Sequence, residues 1–343
     1  MNIWFNHWFS TVYHVFGLVR NYDNGVRIIA SNIRENDLIK SCADEWFLEP
    51  SIGEGEKYAE YCLNMCKEHK VDVFIPRRGR KEIAKHLDKF TELKILVLLS
   101  SDYETSKILE DKSKMYQVLK EDQELKKMVP YHLVVNSKEE FKSACVLARY
   151  YIDNKSSKKI CIKNAIDEGG VSFKVLLEDK KASQSDKMEY NTISEKEMED
   201  IIDKDSTKTR IVMPYLSDEV SCDVLKTSKG VLVVSRKKVQ NHTYLVMRDA
   251  LLEEYCKQLI DKFEITGPCN IQFRKLEGEY KLLDINNRMS GGIQISSLGS
   301  GVNIPLIALN QLIGKDDTTW EYNEDYLKDG VRIGNIETPI KLN

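Results

Sequence analysis

Residues 269–301 read CNIQFRKLEGEYKLLDINNRMSGGIQISSLGSG. Two apolar-alternating runs, 270–276 and 280–286, flank Glu277-Gly278-Glu279, the pattern of a β-hairpin with a three-residue, glycine-containing loop. Pairing Leu276 with Tyr280 sets Gln272 directly opposite Asp284, with their Cβ atoms about 5 Å apart. Period-two alternation then collects Asn270, Gln272, Asp284, Asn286 and Arg288 on one face and turns Leu283 and Ile285 to a core. A carboxylate and amide oxygens beside a guanidinium suit a hard divalent cation and a phosphate together. A solvated hairpin face would show the same composition. The Ser290-Gly291-Gly292 turn that follows lets a ligand approach the backbone closely and favours the first reading.

The chain around this stretch has 343 residues, 42% hydrophobic and 31% charged, enough for two or three domain-sized cores. Its net charge of −3 carries no large asymmetry, so neither nucleic acid nor a membrane surface is indicated as partner. No apolar run approaches the roughly 20 residues that span a bilayer. The aromatic start, MNIWFNHWFSTVYHVFG, lacks the basic region and cleavage site of a signal peptide. Eight cysteines are scattered through apolar runs. Cys62 and Cys66 sit one helical turn apart without a second pair to complete a zinc site, so buried thiols in a reducing cytoplasm are expected.

The first hundred residues alternate strand and helix. Strands are predicted at 2–5, 26–31, 45–48, 71–76 and 94–100, and helices at 7–19, 55–69 and 80–90. That order implies parallel strands in a doubly wound sheet, which binds ligands at the carboxyl ends of its strands. Pro76-Arg77-Arg78-Gly79-Arg80 puts three guanidiniums at such an end. Cations sit badly at a helix N-terminus, so Arg77, Arg78 and Arg80 are assigned to an anion instead of to an exposed helix start. The first strand–helix junction has no G-x-G-x-x-G, and a nicotinamide cofactor is not indicated.

From residue 101 the pattern changes. A charged helical stretch covers 103–121 and contains Asp111-Lys112, followed by a short strand at 134–135 and an amphipathic helix at 138–151. A strand at 159–164 carries Lys163 into Glu168-Gly169-Gly170, with a returning strand at 173–177. A lysine beside approachable backbone amides can clamp a phosphate, although a lone Gly-Gly is more often only a turn. Residues 178–209 are polar, with a helix at 194–203. In 210–216, RIVMPYL, proline at 214 suggests a crossing segment whose Met213 carbonyl and Tyr215 or Leu216 amides could meet a flat ring. A strand at 231–239 ends in Arg236, Lys237 and Lys238. The helix at 249–263 turns Leu251, Leu252, Tyr255, Leu259 and Ile260 to the core, the helix at 302–312 holds Pro305 in its first turn, and a last strand covers 331–337.

Taken in order, Lys112, Lys163 with Gly169-Gly170, RIVMPYLSDE, Arg236, the Gln272/Asp284/Asn286/Arg288 set and Ser290-Gly291-Gly292 resemble the ATP-grasp superfamily. The likeness is to its carbamoyl-phosphate-synthase-like, carboxylate–amine ligase branch. DINNRMSGG is similar to the family's acidic-x-Asn-x-Arg-x-x-Gly signature. The resemblance covers about 101–343 and implies an α/β (α+β) fold. A Rossmann-like parallel-sheet domain at 1–100 would precede a two-lobed ATP-grasp domain at 101–343, with a lid near 125–209 and a C-terminal part near 210–343. It further implies that Lys112 and Lys163 hold the phosphates of ATP under the 168–172 loop (Glu168, Gly169, Gly170). Met213, Tyr215 and Leu216 would meet adenine, Glu219 the ribose, and Gln272 the nucleotide and metal. Gln272, Asp284 and Asn286 would hold Mg²⁺, with Mn²⁺ as an alternative. Arg288 and Arg236 would be catalytic, while Ser290, Gly291 and Gly292, with the three N-terminal arginines, would face the substrate. A cytoplasmic homodimer is implied, acting on a small carboxylate, one with an additional anionic group, and an amine.

Three departures from the family pattern stand out. Asp284 replaces the usual Glu and reaches less far, which bears on whether a second metal is held. Pro214 takes an acidic position in the hinge, and Asp218 a glycine before Glu219. The implied chemistry is transfer of the γ-phosphoryl group to a carboxylate and attack of an amine on the acyl phosphate, which calls for positioning and charge neutralisation instead of a protein nucleophile. Phosphoryl transfer to a hydroxyl or carbamate, or ATP binding without turnover, are the alternatives.

Overall fold

The strand–helix alternation of the first hundred residues becomes a five-stranded parallel sheet, β1 (Asn2–Asn6), β2 (Arg27–Asn32), β3 (Glu45–Leu48), β4 (Val73–Pro76) and β5 (Leu96–Val97), in the order β3-β2-β1-β4-β5. This computed structural model describes residues 1–9, 11–20, 25–155, 157–167, 169–178, 191–315, 320–336 and 342. Two compact units divide the chain. Met1–Lys107, Val220–Ile271 and Ile285–Asn343 form one, and Ile108–Glu219 with Gln272–Asp284 the other.

Period-two alternation in β1 explains how the first unit is built. Trp4 points to one side, where it stacks on Phe74 (4.2 Å between centroids) in a core with Tyr58, Cys62, Ile83 and Phe90. Ile3 and Phe5 point to the other side. There they share one core with the helix Val12–Arg20 and with Val234, Val246, Ile304 and Leu309 from the far end of the chain. The strand order reverses between β1 and β4, so the loops after these two strands meet at a topological switch point, the place where doubly wound sheets bind ligands.

A second sheet lies in the other unit. It comprises β6 (Leu133–Val135), β7 (Ile160–Asn164), β8 (Lys174–Leu177), β9 (Thr192–Ser194) and β10 (Arg210–Pro214), in the order β6-β10-β7-β8-β9. Its core comes from the helix Lys138–Ile152, through Phe141, Ala144 and Ala148, packed on Ile160, Ile162 and Val212. The third sheet contains β11 (Ser217–Thr227), β12 (Gly230–Gln240), β13 (Thr243–Met247), β14 (Cys269–Leu276), β15 (Glu279–Asn286) and β16 (Val331–Gly334), in the order β15-β14-β11-β12-β13-β16. Among the described residues no helix is long and apolar enough to cross a membrane.

Several sequence expectations need correction. The first helix begins at Val12, five residues late, because His7 takes φ +47° and residues 7–9 run as a loop. The helix expected at 80–90 is two, Arg80–Lys85 and Leu87–Glu92, and the one at 103–121 is broken by Asp111, which caps Lys112–Lys120 through the amides of Ser113 and Lys114. Pro214 closes an interior strand instead of forming a crossing segment. β6 pairs only with residues 210–212, so at its last position β10 has a ladder on the β7 side alone, and a missing amide costs little there. On the helix Ala250–Lys262, Leu251 is exposed and Tyr255 half-buried, and Cys256 takes the core position. The short helices Asp37–Cys42, Ile293–Ser300 and Glu324–Lys328 and the strand β13 were not anticipated.

Candidate functional site

The hairpin of β14 and β15 closes through two residues, not three. Glu277 and Gly278 take φ +53° and +81°, the double left-handed conformation of a type I′ turn. Counted from that turn alone, Gln272 would face Leu283. Along β15, however, Tyr280, Leu282 and Ile285 are buried and Leu283 and Asp284 are both only half-buried, so the inward phase slips by one residue between them. The Leu283 carbonyl instead accepts from Tyr116 Oη (2.9 Å) and Lys163 Nζ (3.3 Å). Asp284 and Gln272 are each half-buried on their strands.

Around Asp284 the second unit assembles its cations. Lys112 Nζ lies 3.3 Å from the Asp284 carboxylate and donates to the Asp167 carbonyl at 3.2 Å. Lys112 stands at the start of its helix and Tyr116 one turn on, so both share a face, and Tyr116 places its ring under Lys163 Nζ (5.9 Å). Lys163 is brought in from β7. Burial pushes its ammonium down to about 8, the Asp284 carboxylate works against this, and the Lys112 charge adds to it. The loop after β7 is tied at its base, where Asp167 Oδ2 accepts from the amide and hydroxyl of Ser172, while Gly169 and Gly170 both take left-handed φ, +69° and +68°. Glu168 lies outside the described residues.

The segment after β10 is held by groups the sequence did not single out. The Tyr215 amide donates to the Lys159 carbonyl at 2.8 Å, so, against the sequence expectation, it is already committed within the fold. Ser157 Oγ donates to the Tyr215 carbonyl at 2.6 Å, and Met213 is fully buried in β10 opposite Cys161. Arg274 Nη1 donates to the Leu216 carbonyl (2.9 Å), and its Nη2 meets Glu219 Oε2 at 2.6 Å. Arg274 stands two residues past Gln272 on one strand, and that spacing was the available signal.

The first unit gathers a different set. Arg288 Cζ sits 4.8 Å from the centre of the Phe9 ring, and Arg77 Cζ sits 3.9 Å from the same ring. Arg77 also donates to the His7 carbonyl, so the loops after β1 and β4 are joined at the switch point. Gly291 packs beside Phe9, and Thr11 donates to its carbonyl at 3.3 Å. Arg236 bridges Ser290 Oγ (2.9 Å) and the wholly buried Asp223 (3.2 Å), and any Cβ on Gly292 would fall 2.7 Å from the Arg236 guanidinium carbon. Asp223 accepts as well from Asn270 Nδ2 (2.9 Å) and Ser296 Oγ (2.5 Å). A charged residue inside the apolar run SCDVL was its signal. Asn286 Oδ1 accepts from Arg288 Nη2 at 3.4 Å.

The three N-terminal arginines separate. Arg78 is buried, paired with Glu49 (3.3 Å), stacked on Tyr58 and hydrogen-bonded to the Ile52 carbonyl. Its charge is neutralised inside the unit, while Arg77 packs over the Phe9 ring with Arg288. Arg80 donates to the Arg77 carbonyl and lines a small cleft with Arg288.

The position of Lys163 yields a pH prediction. Below about pH 8 its ammonium is present to meet a phosphate, and above it a proton must be recovered, at a cost approaching about tenfold in affinity per pH unit. Calorimetry in two buffers at pH 9 is expected to show uptake of about one proton on nucleotide binding. Lys163→Arg, charged throughout, is expected to flatten the profile.

A model for the family described as "ATP-grasp in the biosynthetic pathway with Ter operon" matches residues 206–339. Among curated proteins, the carbamoyl phosphate synthase large chain of Methanothermobacter thermautotrophicus is 23% identical over 291 residues, 79% of this chain and 25% of the relative. That of Methanoregula boonei is 27% identical over 127 residues, 37% of this chain and 12% of the relative. The chain thus spans a quarter or less of these relatives' length. Among solved structures, N5-carboxyaminoimidazole synthetase of Staphylococcus aureus with ADP superposes at TM-score 0.63 with 14% identity, covering 92% of this chain and 77% of that one. The L-amino acid ligase of Bacillus licheniformis superposes at 0.61 with 13% identity, covering 91% and 74%. The matched segment holds the Asp284-x-Asn286-x-Arg288 signature. Residues 206–339 thus carry an ATP-grasp family match, and the chain resembles the carbamoyl phosphate synthase large chain over as many as 291 residues.

Proposed function

We propose that this chain is an ATP- and Mg²⁺-dependent ligase that activates a carboxylate as an acyl phosphate and joins it to an amine. The observation that carries the reading is the Lys112–Asp284–Lys163 cluster, two ammoniums and a carboxylate at the root of the signature strand. The donor set fits Mg²⁺, which takes one or two carboxylates and completes its shell with phosphates and water. Asp284 supplies the carboxylate, Gln272 and Asn286 supply amide oxygens, and among the described residues no group of three or more His, Cys, Asp or Glu competes as a metal site. When bound, the ion would neutralise phosphate charge.

The protein's own groups do the rest. Lys112 and Lys163 hold the phosphates, and the loop at Gly169–Ser172 would cover them and keep water from the acyl phosphate. Met213, Tyr215 and Leu216 border the base and Glu219 the ribose. The γ-phosphorus–oxygen bond to ADP breaks as one forms to the carboxylate oxygen, with Arg288 and Arg236 countering the developing charge. The amine nitrogen then attacks the carbonyl carbon, phosphate leaves, and the nitrogen sheds its proton. Arg77 and Arg80, at the switch point with Ser290, Gly291 and Gly292, receive the acid, whose second anionic group they would neutralise.

The test is ADP release with ATP, Mg²⁺ and hydroxylamine over a panel of amino acids, dicarboxylates and phosphorylated acids. Hydroxamate with one acid, absent in Lys163→Ala, is the expected result. A stable phosphorylated product without hydroxamate would establish the second reading, phosphoryl transfer to a carbamate or hydroxyl. The likeness to the carbamoyl phosphate synthase large chain is the observation behind this second reading.

A further inference from the structure

Arg274 belongs to no part of the signature, yet it holds the two groups of the nucleotide site that its neighbours leave loose. With proline at 214 the hinge has one amide fewer, and the Tyr215 amide is already spent on Lys159. On the ligase reading, the Leu216 backbone and the Glu219 carboxylate border the base and ribose. Arg274 binds both at once, through Nη1 at 2.9 Å and Nη2 at 2.6 Å, with Nε at 3.2 Å from the same carboxylate oxygen.

Its own placement is firm, because β14 is a hydrogen-bonded inner strand of its sheet and the guanidinium lies 5.9 Å from the centre of the Tyr215 ring. A planar guanidinium presents donors in a fixed fork, so fixing the carboxylate also fixes the carbonyl. Glu219, on the exposed start of β11, would otherwise sample several rotamers, and each frozen rotamer-rich side chain costs binding energy.

We infer that Arg274 is the positioning residue of the nucleoside end of the site, orienting Glu219 toward the ribose and the Leu216 backbone toward the base. The inference rests on the ATP-ligase reading of the same site. The role is confined to the nucleoside, since the phosphates belong to Lys112 and Lys163.

Calorimetry of the full chain with MgATP and with inorganic tripolyphosphate, for wild type, Arg274→Met, Arg274→Lys and Glu219→Gln, tests it. Wild type is expected to bind both. Arg274→Met is expected to weaken ATP about 10- to 100-fold, the worth of a charge-assisted hydrogen bond, and to leave tripolyphosphate unchanged. Arg274→Lys, lacking the fork, is expected to recover only part of the loss. Arg274→Met and Glu219→Gln together are expected to cost no more than the larger single loss, because one acts through the other. An equal loss for tripolyphosphate would make Arg274 a phosphate contact and overturn the inference, as would unchanged ATP affinity in a folded Arg274→Met. Absence of ATP binding by wild type would instead overturn the underlying ligase reading.

Discussion

Asp284→Ala is expected to lower ATP turnover by about 10³-fold while the chain stays folded, read as ADP release with the acid that supports hydroxamate formation. Three effects run in the same direction. The variant removes the only carboxylate among the proposed metal donors. It also leaves the buried Lys112 ammonium, now 3.3 Å from that carboxylate, without it. Finally, it removes the charge that opposes the downward shift of Lys163, so fewer ammoniums are present at neutral pH to meet the phosphates. Asp284→Asn keeps the shape and should lose nearly as much, because an amide neither neutralises Lys112 nor binds Mg²⁺ as strongly. Asp284→Glu lengthens the reach to that usual in the family and should stay within about tenfold of wild type. Full turnover in Asp284→Ala would sink the ligase mechanism as drawn.

Asp223→Ala is expected to act on stability. Asp223 is wholly buried and accepts from Arg236, Asn270 and Ser296. Its removal strands a nearly buried guanidinium, which costs about 3–5 kcal/mol when one partner of a buried pair is deleted. At about 2–4 °C per kcal/mol for a unit of this size, the thermal transition should fall by roughly 6–20 °C. Pairing the loss with Arg236→Met should recover much of it, since two apolar replacements leave no buried charge. A double variant no more stable than Asp223→Ala would mean that packing, not charge pairing, sets the cost.

The local grammar of the chain was legible where one short segment decides the outcome. β3 at Glu45–Leu48, the helix from Ala250 and the helix Lys138–Ile152 follow from the strand–helix order and helical apolar spacing, each within one short segment. The run 94–100 was read as a strand of seven residues, but only Leu96–Val97 pair. Apolar composition reports burial, whereas a ladder needs a neighbour in register. The hairpin loop was misjudged by one residue, because Glu277 adopts a left-handed conformation uncommon for a residue with a side chain.

The candidate site divides along the same line. Asp284, Asn286 and Arg288 stand at alternate positions of one run, a spacing legible in the sequence itself, whereas the roles given to Lys112 and Lys163 come from the family resemblance. Arg77, Arg78 and Arg80 are chemically alike and adjacent, and nothing local separates them. Tertiary structure sends Arg78 to Glu49, 29 positions away, and Arg77 to Phe9, whose ring also faces Arg288. Asp223 and Arg274 likewise take their meaning from partners tens of residues distant. The amino-acid order alone thus determined the elements, the family signature and the charges to be neutralised. Only the folded chain decided which charge meets which, because an ion pair depends on distance through space and the sequence records distance along the chain.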